Sequence, residues 1–427
     1  MDSIYKTDHP ILTGERGGIQ WEDLCHWLLV LSIFMALPFD IFCLTLACVQ
    51  LLLRGKVYVA VKALLLMLLV GSISLLTIGY LGYPFGKFIQ QFFLVTAVIL
   101  LEADFFHFNR DSLPKIFRKY CQISVCVAVG GLIQMAVLSI ADRNIFTFMF
   151  RDTGRLTSFT MIEPGRLASV LLPAFVYYLF RGSWKESLLK KIVLFGAIYL
   201  TNSFVVLLLM PLVFALRLCY IPGRGFVKWR LAVACVVLAA SISSVVTYVQ
   251  RGDWNLESQR TFYMLKNGSE LLDDPSIDSI DQQTLSIYAF SKNFWVAAHS
   301  PCRLTGTGLG THEHNHDAIY FSRNKFHFLN REDGYSLLNR IFSEFGYVGL
   351  LLAAWCFIRW YNSRNTINIA VSFLIISYFI RGGHYVANGT IFFIMIYYLT
   401  SPKNSALWEA SCNSGGKRGD ELPDRSA

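Results

Sequence analysis

Charge is scarce in this sequence. Only 16% of its 427 residues are Asp, Glu, Lys or Arg, where soluble domains carry roughly 25%. With 54% hydrophobic residues and a mean hydropathy of +0.45, a soluble globule is excluded. A cleavable leader pattern is lacking too: the opening stretch MDSIYKTDHPILTGERGGIQWEDL is polar, without an apolar core or a small-residue cleavage site. A cysteine framework is also missing. Of the ten cysteines, Cys43, Cys48, Cys126 and Cys235 sit inside apolar runs as small packing residues, no CxxC pair occurs, and Cys302 has no loop partner. That argues against disulfides and a cysteine-based zinc site. Gly306, Gly308 and Gly310 alternate, and Thr311-His312 follows them. This is neither the phosphate loop, which needs Lys-Ser/Thr there, nor the dinucleotide fingerprint.

Apolar runs are what the sequence has. They fall at about 63–82, 88–106, 120–140, 165–180, 231–249, 335–358, 366–380 and 385–401, most near the ~20 residues a spanning helix needs. The expectation is an all-α, polytopic membrane protein. The net charge of +9, 38 basic minus 29 acidic residues, collects in short loops between the runs. These are Arg54/Lys56, Arg110 to Lys119, Arg181 to Lys191, Arg217 to Arg230, Arg359/Arg364 and the tail from Lys403. Such loops mark the cytoplasmic face, so the charge gives no reason to expect nucleic acid.

Two stretches break the simple count. Segment 192–216 has basic loops on both sides and a polar interruption, Thr201-Asn202-Ser203; segment 27–53 holds Pro38-Phe39-Asp40 at its centre. Reading each as a pair of short helices gives about 12 spans with both termini inside. One uninterrupted span at 27–53 gives 11. The resulting organisation is a cytoplasmic segment 1–26, membrane helices over 27–249 with an outer loop 141–166, a large periplasmic loop 250–334, membrane helices over 335–401 and a polar, disordered tail 402–427.

The short outer loop carries Arg143, Arg151, Arg155 and Arg166, against the charge rule. Guanidinium forks suit phosphate oxygens and stay charged, so an anionic ligand at the membrane surface is one reading; pairing with lipid headgroups or with Asp142, Asp152 and Glu163 is the other. Arg381-Gly-Gly-His384 lies between two apolar runs on the same face, where charge is costly. In GTGLGTHEHNH (306–316), His312, Glu313 and His316 spell the zinc-protease H-E-x-x-H. The preceding glycines favour a loop over the helix that motif needs. A solvated histidine-rich loop and a flexible glycine strip that lets the backbone approach a bulky polar substrate remain, the second with histidine as acid or base.

Four stretches then carry a resemblance. They are Arg155-Leu-Thr-Ser-Phe-Thr-Met-Ile-Glu163-Pro164, Leu200-Thr201-Asn202-Ser203, Leu304-Thr-Gly306-Thr-Gly308-Leu-Gly310, and Gly334-Tyr335-Ser-Leu-Leu followed by Glu344-Phe345-Gly346-Tyr-Val-Gly349. In order and spacing the chain resembles the O-antigen polymerase (Wzy-type) and O-antigen ligase superfamily of bacterial membrane glycosyltransferases. It departs at Gly334, where Asn is usual, and in the run from Gln283 to Phe290, which lacks the arginine the family often has. Arg260 or Arg303 would stand in for it.

The resemblance implies a GT-C-like fold in the bacterial inner membrane, with no cofactor and no metal. It implies an undecaprenyl-diphosphate-linked oligosaccharide as substrate, membrane lipid around it, and a chain-length regulator and a flippase as partners. The expected catalytic set is Arg155, Arg166, Arg303, Glu163, His312 and His316, the first three for leaving-group charge and the last three as candidate bases. Arg151, Arg260, Arg381 and His384 would bind substrate. The rival readings are an O-antigen ligase and, from another class, a transporter or flippase.

Overall fold

The computed structural model describes residues 21–35, 57–141, 156–157, 163–181, 187–201, 203–219, 285–320, 326–382 and 384–404, with Thr45, Cys48, Val49 and Met161 as isolated positions. Among these residues the protein is all-helical, with no strand. The described helices are α1 (Trp21–Ser32), α2 (Val61–Leu81), α3 (Gly86–Phe108), α4 (Leu113–Ala141), α5 (Pro164–Phe180), α6 (Leu188–Leu200), α7 (Phe204–Cys219), α8 (Leu285–His299), α9 (His312–Ile319), α10 (Leu337–Trp360), α11 (Thr366–Ile380) and α12 (Thr390–Leu399).

Four of these helices, α2, α3, α4 and α10, are long and apolar enough to cross a membrane. The outward faces of two make the point. Leu65, Leu66, Leu69, Leu76 and Tyr80 of α2, and Leu351, Trp355 and Ile358 of α10, are exposed. In water such surface would be an aggregation hazard; against lipid it is in its proper solvent. A helical membrane protein is the result. The expected spans at 63–82, 88–106, 120–140, 165–180, 335–358, 366–380 and 385–401 each coincide with a helix. The segment around Thr201 splits into α6 and α7, with Thr201 and Ser203 buried at the break. Helix α1 starts at Trp21, inside the stretch expected to be a polar cytoplasmic segment. The expected break at Pro38 to Asp40, the run 231–249 and most of loops 141–166 and 250–284 lie outside the described residues.

Helix α5 is the hub. Pro164 at its first turn has the fixed φ that starts a helix and no N–H to orphan. Nearly every later side chain is buried, and the helix packs against α4, α6, α7 and α11. Small polar contacts bring the hub and α11 close: Ser169 Oγ and Ser377 Oγ lie 2.6 Å apart. Seventeen residues at 1.5 Å rise make α5 about 26 Å long, close to the ~30 Å of a bilayer's hydrocarbon core. Glu163 and Arg166 are at one end and Arg181 at the other, so both ends of α5 are polar.

Helix α10 is broken. At Gly346, φ is 63° and ψ −158°, a conformation open to glycine alone. The break frees backbone groups that lipid could not satisfy. The glycine turn before α9 satisfies them. Thr307 N and Gly308 N donate to the Ser343 and Glu344 carbonyls at 3.2 and 2.8 Å, while Tyr347 N and Val348 N donate to the Arg303 and Leu304 carbonyls, both at 3.0 Å. A Cβ on Gly306 would fall 2.3 Å from the Glu344 carbonyl. The alternating glycines therefore let backbone approach the protein's own backbone. The expectation that they let it approach a bulky polar substrate is corrected accordingly.

Candidate functional site

At the Glu163 end of α5, three stretches of chain bring charged side chains together: Glu163 and Arg166, Asp333, and Arg381 with His384. The Glu163 carboxylate bridges two guanidiniums: Oε2 lies 2.7 Å from Arg166 Nε and Oε1 lies 2.8 Å from Arg381 Nη2. Arg166 reaches on to Asp333 at 3.7 Å, and Asp333 is 3.7 Å from His384 Nε2. Backbone chemistry builds this placement. Gly165 has no Cβ where one would lie 2.5 Å from the Arg381 guanidinium. Gly334 and Tyr335 both have positive φ, 68° and 64°, which turns the chain so that Tyr335 N donates to Asp333 Oδ1 at 3.0 Å. Gly382 N donates to the Tyr335 carbonyl at 2.9 Å, stapling the α11–α12 turn to the start of α10.

A cavity of about 570 Å³ opens beside the cluster, lined by Phe328, Asn330, Arg331, Glu332, Asp333 and His384. That volume is within the range of small-ligand pockets. Burial raises the Glu163 carboxyl, but Arg381 and Arg166 outweigh it and hold it below its ordinary value. Asp333 behaves alike: burial raises it, while His384, the Tyr335 N–H, Asn330 and Arg166 bring it below its ordinary value. His384, with 38% of its side chain exposed, is lowered by burial against the pull of Asp333. Burial thus favours its neutral form, and Asp333 its charged one.

No protein-family model matches this chain, and no curated protein matches it. Chemistry alone therefore ranks the candidates. Glu163, Arg166, Arg381 and His384, expected from the sequence, form one cluster. Arg303 does not join it: its side chain is exposed, and its carbonyl serves the α10 splint. Arg151, Arg155 and Arg260 lie outside the described residues.

His312 and His316 need a correction. The stretch from His312 is helix α9, which starts directly after Thr311 because the glycines end at 310. His312, Asn315 and His316, spaced i, i+3, i+4, share its buried face; neither histidine belongs to a solvated loop. His312 Nε2 contacts Asn293 Oδ1 at 3.0 Å, and His316 Nε2 contacts the His327 carbonyl at 3.1 Å. Among the described residues no three His, Cys, Asp or Glu side chains are grouped to hold a metal ion. Burial, with Arg340 adding to it, lowers His312 to about 3; burial, with Lys292 adding to it, lowers His316 to about 4.

Both histidines therefore fold in the neutral form. Between pH 6.5, the ordinary value, and about 4, the unfolded chain binds protons that the folded chain refuses. Stability is then full above 6.5 and falls with pH below it, by about 1 kcal/mol per pH unit for each histidine. The thermal midpoint of purified protein is expected to drop from pH 6.5 to 4.5, and less steeply in His312→Gln. A flat profile in the wild type contradicts this.

Three residues that sequence reasoning missed hold the site. Asp333 joins Arg166 to His384; its only sequence signal is its place beside Gly334. Lys292 on α8 donates to the His327 and Leu329 carbonyls at 2.5 and 2.6 Å, fixing the stretch of chain that carries Phe328 and Asn330. Burial lowers it to about 7 against the opposing pull of Asp333. Arg340 pairs with Glu344 at 3.1 Å, and Tyr385, next to His384, donates to the same carboxylate at 2.8 Å. Arg340 and Glu344 are both buried, and a buried ion pair in a spanning helix usually has a role.

Proposed function

We propose that the protein polymerises a polysaccharide, an O-antigen, capsule or exopolysaccharide, at the outer face of the bacterial inner membrane. The growing glycan passes from its polyprenyl diphosphate to the next lipid-linked repeat unit. Twelve spans in a GT-C-like arrangement, with both termini inside, belong to this proposal. What carries it is the juxtaposition of Arg166 and Arg381, held by one carboxylate at the start of α5, with a cavity on whose wall stands His384.

The reaction divides over these groups. An acceptor sugar hydroxyl attacks the anomeric carbon, the bond from that carbon to the diphosphate oxygen breaks, and the diphosphate leaves with the electron pair. The new glycosidic bond forms with inversion. Charge builds on the leaving diphosphate, where fixed cations help most. Glu163 uses one nitrogen of each guanidinium; other N–H donors remain, and Arg381 Nε is buried without an acceptor among the described residues. The hydroxyl proton goes to His384, whose other contact, Asp333, stabilises the imidazolium. Glu163 is a weaker base between two arginines, and His312 and His316 are buried on the inner face of α9, away from the cavity wall. Phe328, 59% exposed on the cavity wall, offers an apolar ring face to a sugar.

The deciding profile is that of lipid-linked glycans in a strain deleted for this chain. Single repeats on the carrier are expected. Accumulation of long carrier-linked chains would point to a ligase, and loss of all outward-facing repeats to a flippase.

A further inference from the structure

The opposite end of α5 is built differently. Its last four residues, Tyr177 to Phe180, each meet a cation through a ring or a carbonyl. Arg181 lies 5.3 Å from the Tyr177 ring centre and donates to its hydroxyl. Lys190 of α6 lies 5.2 Å over Tyr178. Arg217 of α7 lies 5.8 Å from the Phe180 ring, and its Nε donates to the Leu179 carbonyl at 2.9 Å. Arg118 of α4 stands close enough to bear electrostatically on Tyr177. At the Glu163 end every arginine of the cluster meets a carboxylate; here, among the described residues, Arg118, Arg181, Lys190 and Arg217 have no ion-pair partner.

Rings and helix C-termini explain where these cations sit, since both attract positive charge. They leave most of the donors unused. Arg118 and Arg217 each commit Nε to a carbonyl, and Arg181 commits one Nη to a hydroxyl, so several guanidinium N–H groups and the Lys190 ammonium stay open to a ligand. Exposure of Arg118, Arg181 and Lys190 agrees with that. The site lies about 26 Å from the Glu163 cluster along α5, close to the thickness of a bilayer's hydrocarbon core.

We propose that Arg118, Arg181, Lys190 and Arg217 form a binding site for the phosphate headgroup of an anionic phospholipid, wrapped around the end of α5. The apolar faces of the neighbouring helices receive its acyl chains. The site is independent of the glycan chemistry above.

The test uses the full purified chain in detergent, with phosphatidylglycerol, phosphatidylcholine or inorganic phosphate added. Phosphatidylglycerol is expected to raise the thermal midpoint, and the other two to leave it unchanged. Intact-complex mass spectrometry is expected to retain phosphatidylglycerol over phosphatidylcholine. Each of Arg181→Gln, Lys190→Gln and Arg217→Gln should weaken that retention about fivefold, while Lys115→Gln, a neighbouring exposed cation away from these rings, should not. Equal retention of the two lipids overturns the proposal, as does undiminished retention by the variants. Inorganic phosphate alone reproducing the shift overturns the lipid as its source. Should a variant fail to fold, the wild-type preference between the two lipids still decides.

Discussion

Arg381→Ala is expected to lower polymer formation by about 10²–10³, the loss typical when one preorganised donor to a developing anion is removed. Arg381 is held from three sides: Glu163 at 2.8 Å, the Tyr335 ring at 5.7 Å and the bare Cα of Gly165 beneath. Its place is thus fixed without a ligand, as the proposed role of a preorganised cation requires. Arg381→Lys should recover only part of the rate, since an ammonium cannot hold Glu163 and a phosphate through one rigid fork. Gly165→Ala should approach the alanine variant, because the added methyl would lie 2.5–2.8 Å from guanidinium atoms. Initial rates of polymer formation, normalised to folded protein, check all three. Wild-type rates in Arg381→Ala would remove the arginine from the mechanism.

Gly346→Ala is expected to have the largest effect on stability, roughly 2–6 kcal/mol from combined backbone strain and overpacking. The methyl would meet the Arg303 and Leu304 carbonyls at 2.4 and 2.5 Å and Gly306 N at 2.6 Å. Those atoms are backbone and cannot swing aside. Displacing them strips the partners from Tyr347 N and Val348 N within a spanning helix, where water cannot replace them. The consequence runs outward too: the same turn leads into α9, whose Glu313 anchors Lys87 at 3.1 Å and Arg331 at 2.5 Å, and Arg331 lines the cavity. Gly196→Ala is the control. Nothing lies within 4 Å of its added Cβ, so it should be neutral or stabilise by up to ~1 kcal/mol through helix propensity. Unfolding midpoints in one detergent compare the two directly; equal midpoints would contradict the splint.

How much of this the sequence disclosed follows from the range of the forces. Apolar runs of bilayer length foretell α2, α3, α4 and α10 because the solvent acts on each residue separately. The break at Thr201 was legible because three consecutive small polar residues interrupt the apolar pattern that one continuous span requires. Glu163, Arg166, Arg381 and His384 were legible as costly charges at the ends of such runs. The role of GTGLGTHEHNH was not. Gly306 matters through Gly346, forty positions away, and nothing local to 306–310 reveals that partner. Nor could histidine content tell a solvated face from a buried one: His312 and His316 are interior because Asn293 and the His327 carbonyl receive them. Asp333 resembles any loop acid until Arg166 and His384 are seen on either side of it.

The most direct measurement is a reconstitution. Purified protein in proteoliposomes, given polyprenyl-diphosphate-linked repeats on the face that carries Glu163 and Arg381, should yield a ladder of longer glycans and release one polyprenyl diphosphate per bond formed. Folded protein that leaves every repeat as a monomer, or carries it across the bilayer without forming a bond, would contradict the account.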